Sequence, residues 1–253
     1  MDNLLTAGNS EHYGDEFYFG YYDIPLNIEH GNLSVFVDQE GKNILYRRRY
    51  GGETREKIIF GTEGRVLFNP VEPVHKPKEI TTFFLIELDA TLSVKPRETA
   101  EVMLTFPVEI GAVFFAEDQG PIVLDIFTLD VPKYTLYGPP GTGLICRYWK
   151  SKAYTVSPAP NPRLAGVMYL QIKNTQPRWI EISKAVFCAH DLLIYYNRQI
   201  VCCSAYMRIL SETSAETGFK SFSPQPDMEL STKLLVPRKT IMTGPRCVMV
   251  EGI

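Results

Sequence analysis

The chain has 253 residues, 45% of them apolar and 22% charged, the proportions of an ordinary soluble globular protein able to bury one large core or two modest ones. Its net charge of -3 exerts no overall pull on nucleic acid or anionic lipid, and no apolar run approaches the ~20 residues needed to cross a bilayer. With 14 Tyr, 14 Phe, 18 Gly and 18 Pro, the composition leans toward strands and turns.

The N-terminal MDNLLTAGNSEHYGDE has an acid at its second position, no basic region and no apolar core, so no secretory leader is expected. Residues 1–12 read as a loose tail. The sequon Asn32-Leu33-Ser34 is then expected to stay unglycosylated in a cytoplasmic protein. The run Phe17-Tyr18-Phe19-Gly20-Tyr21-Tyr22 is too dense in rings for one buried face. Some of Phe17, Tyr18, Phe19, Tyr21 and Tyr22 are expected to face solvent, the second domain or a partner, which makes the run a candidate binding surface. Strand-like runs follow at short spacing: LSVFV, NILYRRRY, EKIIF and RVLF, separated by HGN, DQEGKN, YGGET and GTEG. In NILYRRRY the period of two puts Ile44, Tyr46, Arg48 and Tyr50 on one face and Leu45, Arg47 and Arg49 on the other. Arg47, Arg48 and Arg49, interleaved with tyrosines, could grip a nucleic-acid backbone. Glu53, Glu56 and Glu63 dilute that patch, and a strand whose charges discourage aggregation is the plainer reading.

PVEPVHKPK, Pro70 to Lys78, breaks the pattern before ITTFFLIEL, EVMLTF, VEIGAVFF and PIVLDIFTL resume it. Asp125 shares a strand face with Val123 and Phe127, and Arg147 shares one with Ile145 and Trp149. An acid and an arginine on apolar faces are expected to pair, as structural ion pairs do. With Lys133 and Tyr137 they form a candidate pocket. Between these segments stands GPPGTG, the opening of many nucleotide-binding phosphate loops. Such a loop needs a Lys after its last glycine, a Ser or Thr next, and a helix starting there. Here those positions are Leu144 and Ile145, and the following LICRYW suits a strand. The segment is expected to be a hairpin loop, with Pro140-Gly141 at the centre of a type II turn.

Ser157 to Arg163, SPAPNPR, resists both helix and central strand. Residues 158–163 therefore read as a linker between a β domain over 13–157 and a β-sandwich domain over 164–253. No segment shows sustained helical periodicity, and the expected fold is all-β: two sandwich-like, immunoglobulin-like antiparallel domains with little helix. The five cysteines and four histidines show no CxxC, HxH or HExxH spacing, so neither a metal nor a disulfide framework is expected. Cys188 and His190 in CAHD lack the third, orienting group that nucleophilic catalysis requires.

YRRRY, NPVEPVHKPKEIT, LTFPVEIG, DVPKYTLYG with GLICRYW, RWIEISKAVF and the terminal MVEGI resemble, in that order from about Tyr13 onward, an uncharacterised archaeal family, domain of unknown function 432. The most specific pieces are KYTLYG, ICRYW and FPVEIG. The resemblance implies an archaeal source, an intracellular setting and a glycine-bearing turn where GPPGTG stands. It implies no activity, cofactor or catalytic residue. The residues point first to a non-catalytic binding or accessory module acting through a protein partner. The alternative is a small-ligand binder or enzyme with an interdomain pocket, and nucleic-acid binding through Arg47–Arg49 stands third. No cofactor is expected.

Overall fold

The computed structural model of the protein describes residues 17–61, 63–77, 80–116, 120–234 and 247–253. The expected tail over 1–12 lies outside them. The strands are β1 (Gly20–Tyr22), β2 (Leu26–His30), β3 (Leu33–Glu40), β4 (Asn43–Tyr50), β5 (Glu53–Phe60), β6 (Gly64–Val71), β7 (Phe83–Val94), β8 (Thr99–Pro107), β9 (Glu109–Ala116) and β10 (Ile122–Phe127). They continue with β11 (Lys133–Tyr137), β12 (Leu144–Ser151), β13 (Ala165–Asn174), β14 (Ile180–Cys188), β15 (Tyr195–Tyr196), β16 (Val201–Ile209), β17 (Ala215–Phe219), β18 (Glu229–Leu230) and β19 (Cys247–Met249). The one helical element among the described residues is a single 3-10 turn, Ala189–Asp191. The fold is all-β and sandwich-like, and no described helix is long and apolar enough to cross a membrane.

The chain forms two compact units. One runs to Phe68 and takes in Ala112–Asp125; the other comprises Asn69–Gly111 and Ile126–Ile253. In the first unit, β2, β3, β4 and β5 form an antiparallel meander. Alternation decides its faces: Leu33, Val35 and Val37 of β3 and Ile44 and Tyr46 of β4 are buried while their neighbours are not. The unit also holds β1 and parts of β6, β9 and β10, which belong to a second sheet in the order β1-β6-β9-β10. Gly64 is required in β6, because a Cβ there would stand 2.3 Å from the Phe115 carbonyl oxygen.

The second unit is a sandwich of two sheets. One has the order β11-β12-β7-β14; the other runs β18-β15-β16-β13-β8, with β17 added beside β16 and β19 beside β17. Between them Phe84, Phe187 and Phe219 stack with centroid separations of 5.4 to 6.3 Å, a packing that adds about 0.5–1.5 kcal/mol per pair beyond area burial. Both sheets contain one parallel pair, β7 with β12 and β13 with β16, so the sheets are mixed rather than purely antiparallel.

Ser157–Arg163 lies inside this second unit. β12 before it and β14 after it both pair with β7, and β8 before it pairs with β13 after it. Strands from the two sides interleave in both sheets, which is why the chain does not part there. The segment ends in an ordered turn, with the Arg163 amide donating to Asn161 Oδ1 at 3.1 Å.

Candidate functional site

The arginine strand β4 divides as its period dictates. Arg48 points inward and is 2% exposed. Its Nε donates to Asp125 Oδ2 at 2.5 Å, and Tyr46 Oη donates to the same oxygen at 3.4 Å. Burial, then the Asp125 charge, raise the Tyr46 phenol well above its ordinary range, so it serves as a donor. Asp125 is thus bound to Arg48 within the first unit, and Arg147, its expected partner, belongs to the second. Both carry apolar neighbours on their strands, but strand faces alone do not say which arginine reaches which acid.

Arg47 and Arg49 point outward. Arg47 pairs with Glu56 at 2.6 Å; Arg49 is exposed. Their face also carries Phe36, Leu45, Ile58 and Phe60, with Asp38, Leu45 and Ile58 aligned across three strands. Ile58 is 60% and Phe60 85% exposed. β5 is the terminal strand of its sheet, and Ile59 alone among its residues is buried. Half of its backbone N–H and C=O groups point away from β4, as at any open edge. Ile58 and Phe60 were missed from the sequence, although three consecutive apolar residues on a strand cannot all face one core.

The aromatic run lies mostly inside. Phe17, Phe19 and Tyr22 are buried, Tyr18 is half-buried, and Tyr21 is exposed. Phe17 and Tyr22 pack edge-on against Phe68 at 5.3 and 5.5 Å. Tyr21 carries Arg65 over its ring at 5.3 Å. Of the rings over Phe17–Tyr22 only Tyr21 is exposed, because Phe17 and Phe19 pack onto the core and β1 pairs along β6 with Tyr22 turned inward.

In the second unit Arg147 is 1% exposed, with Asp130 at 3.8 Å and the Tyr134 ring at 6.0 Å. Its Nε and Nη1 find no hydrogen-bond partner among the described residues. Glu109 is buried near it, and accepts hydrogen bonds from the amides of His75 and Lys76 at 3.1 and 3.2 Å. Burial lifts the Glu109 carboxyl to about 7, against the opposing pull of His75, the two amides and Arg147. His75 Nε2 meets Glu72 Oε2 at 3.1 Å. Four segments that carry the family resemblance, around Glu72–His75, Glu109, Tyr134 and Arg147, therefore meet here. Glu109, Glu72, His75 and Tyr134 were not singled out from the sequence, yet a carboxylate inside the apolar run FPVEIG is a visible signal. The cluster has an acid and a cation but no free nucleophile among the described residues, and its polar atoms are turned inward.

The other expected pocket residues lie apart from one function. Lys133 is exposed. Tyr137 is buried, donates to the Gly252 carbonyl at 2.9 Å and accepts from the Glu251 amide at 2.9 Å, so it fastens the C-terminal segment. GPPGTG is a hairpin loop: Lys133–Tyr137 pairs with Leu144–Tyr148, Thr142 N donates to Pro139 O, and Gly141 has φ of 96°. Pro140-Gly141 is the centre of the turn, with strands on both sides. Among the described residues no group of His, Cys, Asp or Glu could hold a metal. Burial raises the Cys146 and Cys202 thiols to about 12 and lifts Cys188 as well, which works against a reactive thiolate.

A family model described as "Protein of unknown function (DUF432)" matches residues 18–249. No curated protein and no solved structure matches the chain.

Proposed function

Since the chain belongs to the DUF432 family of proteins of unknown function, we propose its role from geometry: it is a binding module that takes an extended segment of a partner protein along the open edge and outer face of β5. The observation that carries this reading is the combination of two features: a strand edge that no described strand pairs, and Ile58 and Phe60 at 60% and 85% exposure. Strand addition supplies backbone hydrogen bonds along the edge, and alternate side chains supply selectivity. On the outer side the occupant has apolar residues facing Ile58 and Phe60 and an acidic residue toward Arg49, and on the opposite side an acidic residue toward Arg55; both arginines are exposed with no carboxylate partner among the described residues. A second copy of this chain fits poorly. Antiparallel self-pairing about Arg55, Glu56 or Lys57, with outer faces kept together, sets Arg55 against Arg55, Arg55 against Lys57, or Lys57 against Lys57, and like charges directly opposite destabilise.

The test compares affinity capture by the natural protein with that by an Ile58→Asp/Phe60→Asp variant. Both positions are exposed, so thermal stability is expected to hold. The captured partner is expected to vanish with the variant. Equal capture by both forms would overturn the reading. Retention of nucleic acid that falls steeply with salt and depends on Arg47 and Arg49 would favour the arginine-strand alternative instead.

A further inference from the structure

A groove of about 440 Å³ opens on the face of β8, β13 and β16 in the second unit, within the size range of small-molecule sites. Its floor and wall are built from Glu101, Met103, Tyr169, Gln171, Lys220 and Phe222. Register explains the floor: Tyr169 lies opposite Met103 and Ser204, and Gln171 opposite Glu101 and Tyr206, so all these side chains stand on one side of the sheet. The wall is the segment after β17, fixed by the Lys220 amide donating to the Ser204 carbonyl at 2.9 Å and by Gln225 Nε2 donating to Tyr169 Oη at 2.6 Å.

The charges in the groove are ordered. Lys220 Nζ donates to Gln171 Oε1 at 3.1 Å, and Gln171 Nε2 donates to Glu101 Oε1 at 3.1 Å. A neutral amide thus holds an ammonium on one side and a carboxylate on the other, and neither has a counter-ion among the described residues. The ammonium keeps two donors beyond the one used by Gln171. Beside it the Phe222 ring, 56% exposed, stands 5.7 Å from Nζ. Phe222, Met103 and Pro224 give the groove an apolar side.

We propose that this groove binds a free apolar amino acid, its carboxylate on Lys220, its ammonium on Glu101 and its side chain against Phe222 and Met103. A zwitterion satisfies both charges at once, whereas an anion meets Glu101 and a cation meets Lys220 with like sign. The groove volume holds one such molecule. This inference is independent of the β5 edge.

The test is ligand-observed NMR and calorimetry on the full chain with L-leucine, L-methionine and L-phenylalanine at about 5 mM, a concentration that detects millimolar binding. At least one is expected to bind. Its amide, which lacks the carboxylate, and its N-acetyl derivative, which lacks the ammonium, are each expected to bind about tenfold more weakly, as loss of a charged hydrogen bond requires. Lys220→Met and Glu101→Gln are expected to weaken the free amino acid by a similar factor while leaving the thermal midpoint in place. Because Glu101 is exposed, its variant remains informative if Lys220→Met unfolds. Absence of binding by all three amino acids, or equal binding of the blocked derivatives, would overturn the proposal.

Discussion

Arg48 and Asp125 show how far a strand position determines an arginine's role. Arg48 sits between two arginines that face outward, yet it is buried against a carboxylate at 2.5 Å. Removing one partner leaves a buried charge, so Asp125→Asn is expected to cost about 3–5 kcal/mol in urea denaturation. Arg48→Met with Asp125→Leu is expected to recover most of that loss, incompletely because Tyr46 Oη loses its acceptor. Arg49→Ala, on the exposed face, is expected to stay within about 0.5 kcal/mol. Glu109 sets a pH dependence of its own. Burial raises its folded value from 4.5 to about 7, so the folded chain keeps a proton that the unfolded chain releases across that window. Its contribution is fully present below pH 4.5 and declines as pH rises to 7, by about 3 kcal/mol in total. Thermal midpoints of Glu109→Gln are expected to be flatter from pH 4.5 to 7 than those of the natural protein. An unchanged slope would contradict the burial argument.

At the scale of elements, what was legible in the sequence is what is local. The alternation in NILYRRRY gave the faces of β4, and Pro140-Gly141 gave the turn between β11 and β12 despite its likeness to a phosphate loop. Gly141→Ala is expected to cost about 1 kcal/mol in denaturation, because φ of 96° is strained for any residue with a Cβ although nothing crowds the site. What was not legible is partner choice between distant strands. The parallel pairings β7–β12 and β13–β16, and the meeting of Glu109 with His75 and Arg147, join segments far apart in sequence, and no residue pattern names such partners. The Pro-rich stretch also misled, since its prolines mark an exposed turn that both sheets bridge. Proteolytic nicking within residues 157–163 is therefore expected to leave two fragments that stay associated through gel filtration under native conditions. Their separation would contradict the interleaved pairing.

At the scale of the whole molecule, both units are discontinuous, and the chain passes between them within β6, β9 and β10. Neither unit corresponds to one stretch of sequence, so residues 164–253 expressed alone are expected to remain unfolded by circular dichroism, lacking β7, β8 and β12. Of the expected sites, the aromatic N-terminal run keeps Tyr21 exposed, and Asp125 and Arg147 belong to different units. Among the described residues the β5 edge is an exposed, apolar sheet terminus. Photo-cross-linking from that edge is the most direct measurement. A benzophenone analogue replaces Phe60, the protein is irradiated in its native lysate, and the adduct is sequenced by mass spectrometry. Cross-links to an acidic, apolar-alternating segment of another protein, abolished by Ile58→Asp, are the expected result. Cross-links to nucleic acid, to a second copy of the chain or to nothing above background would contradict the account.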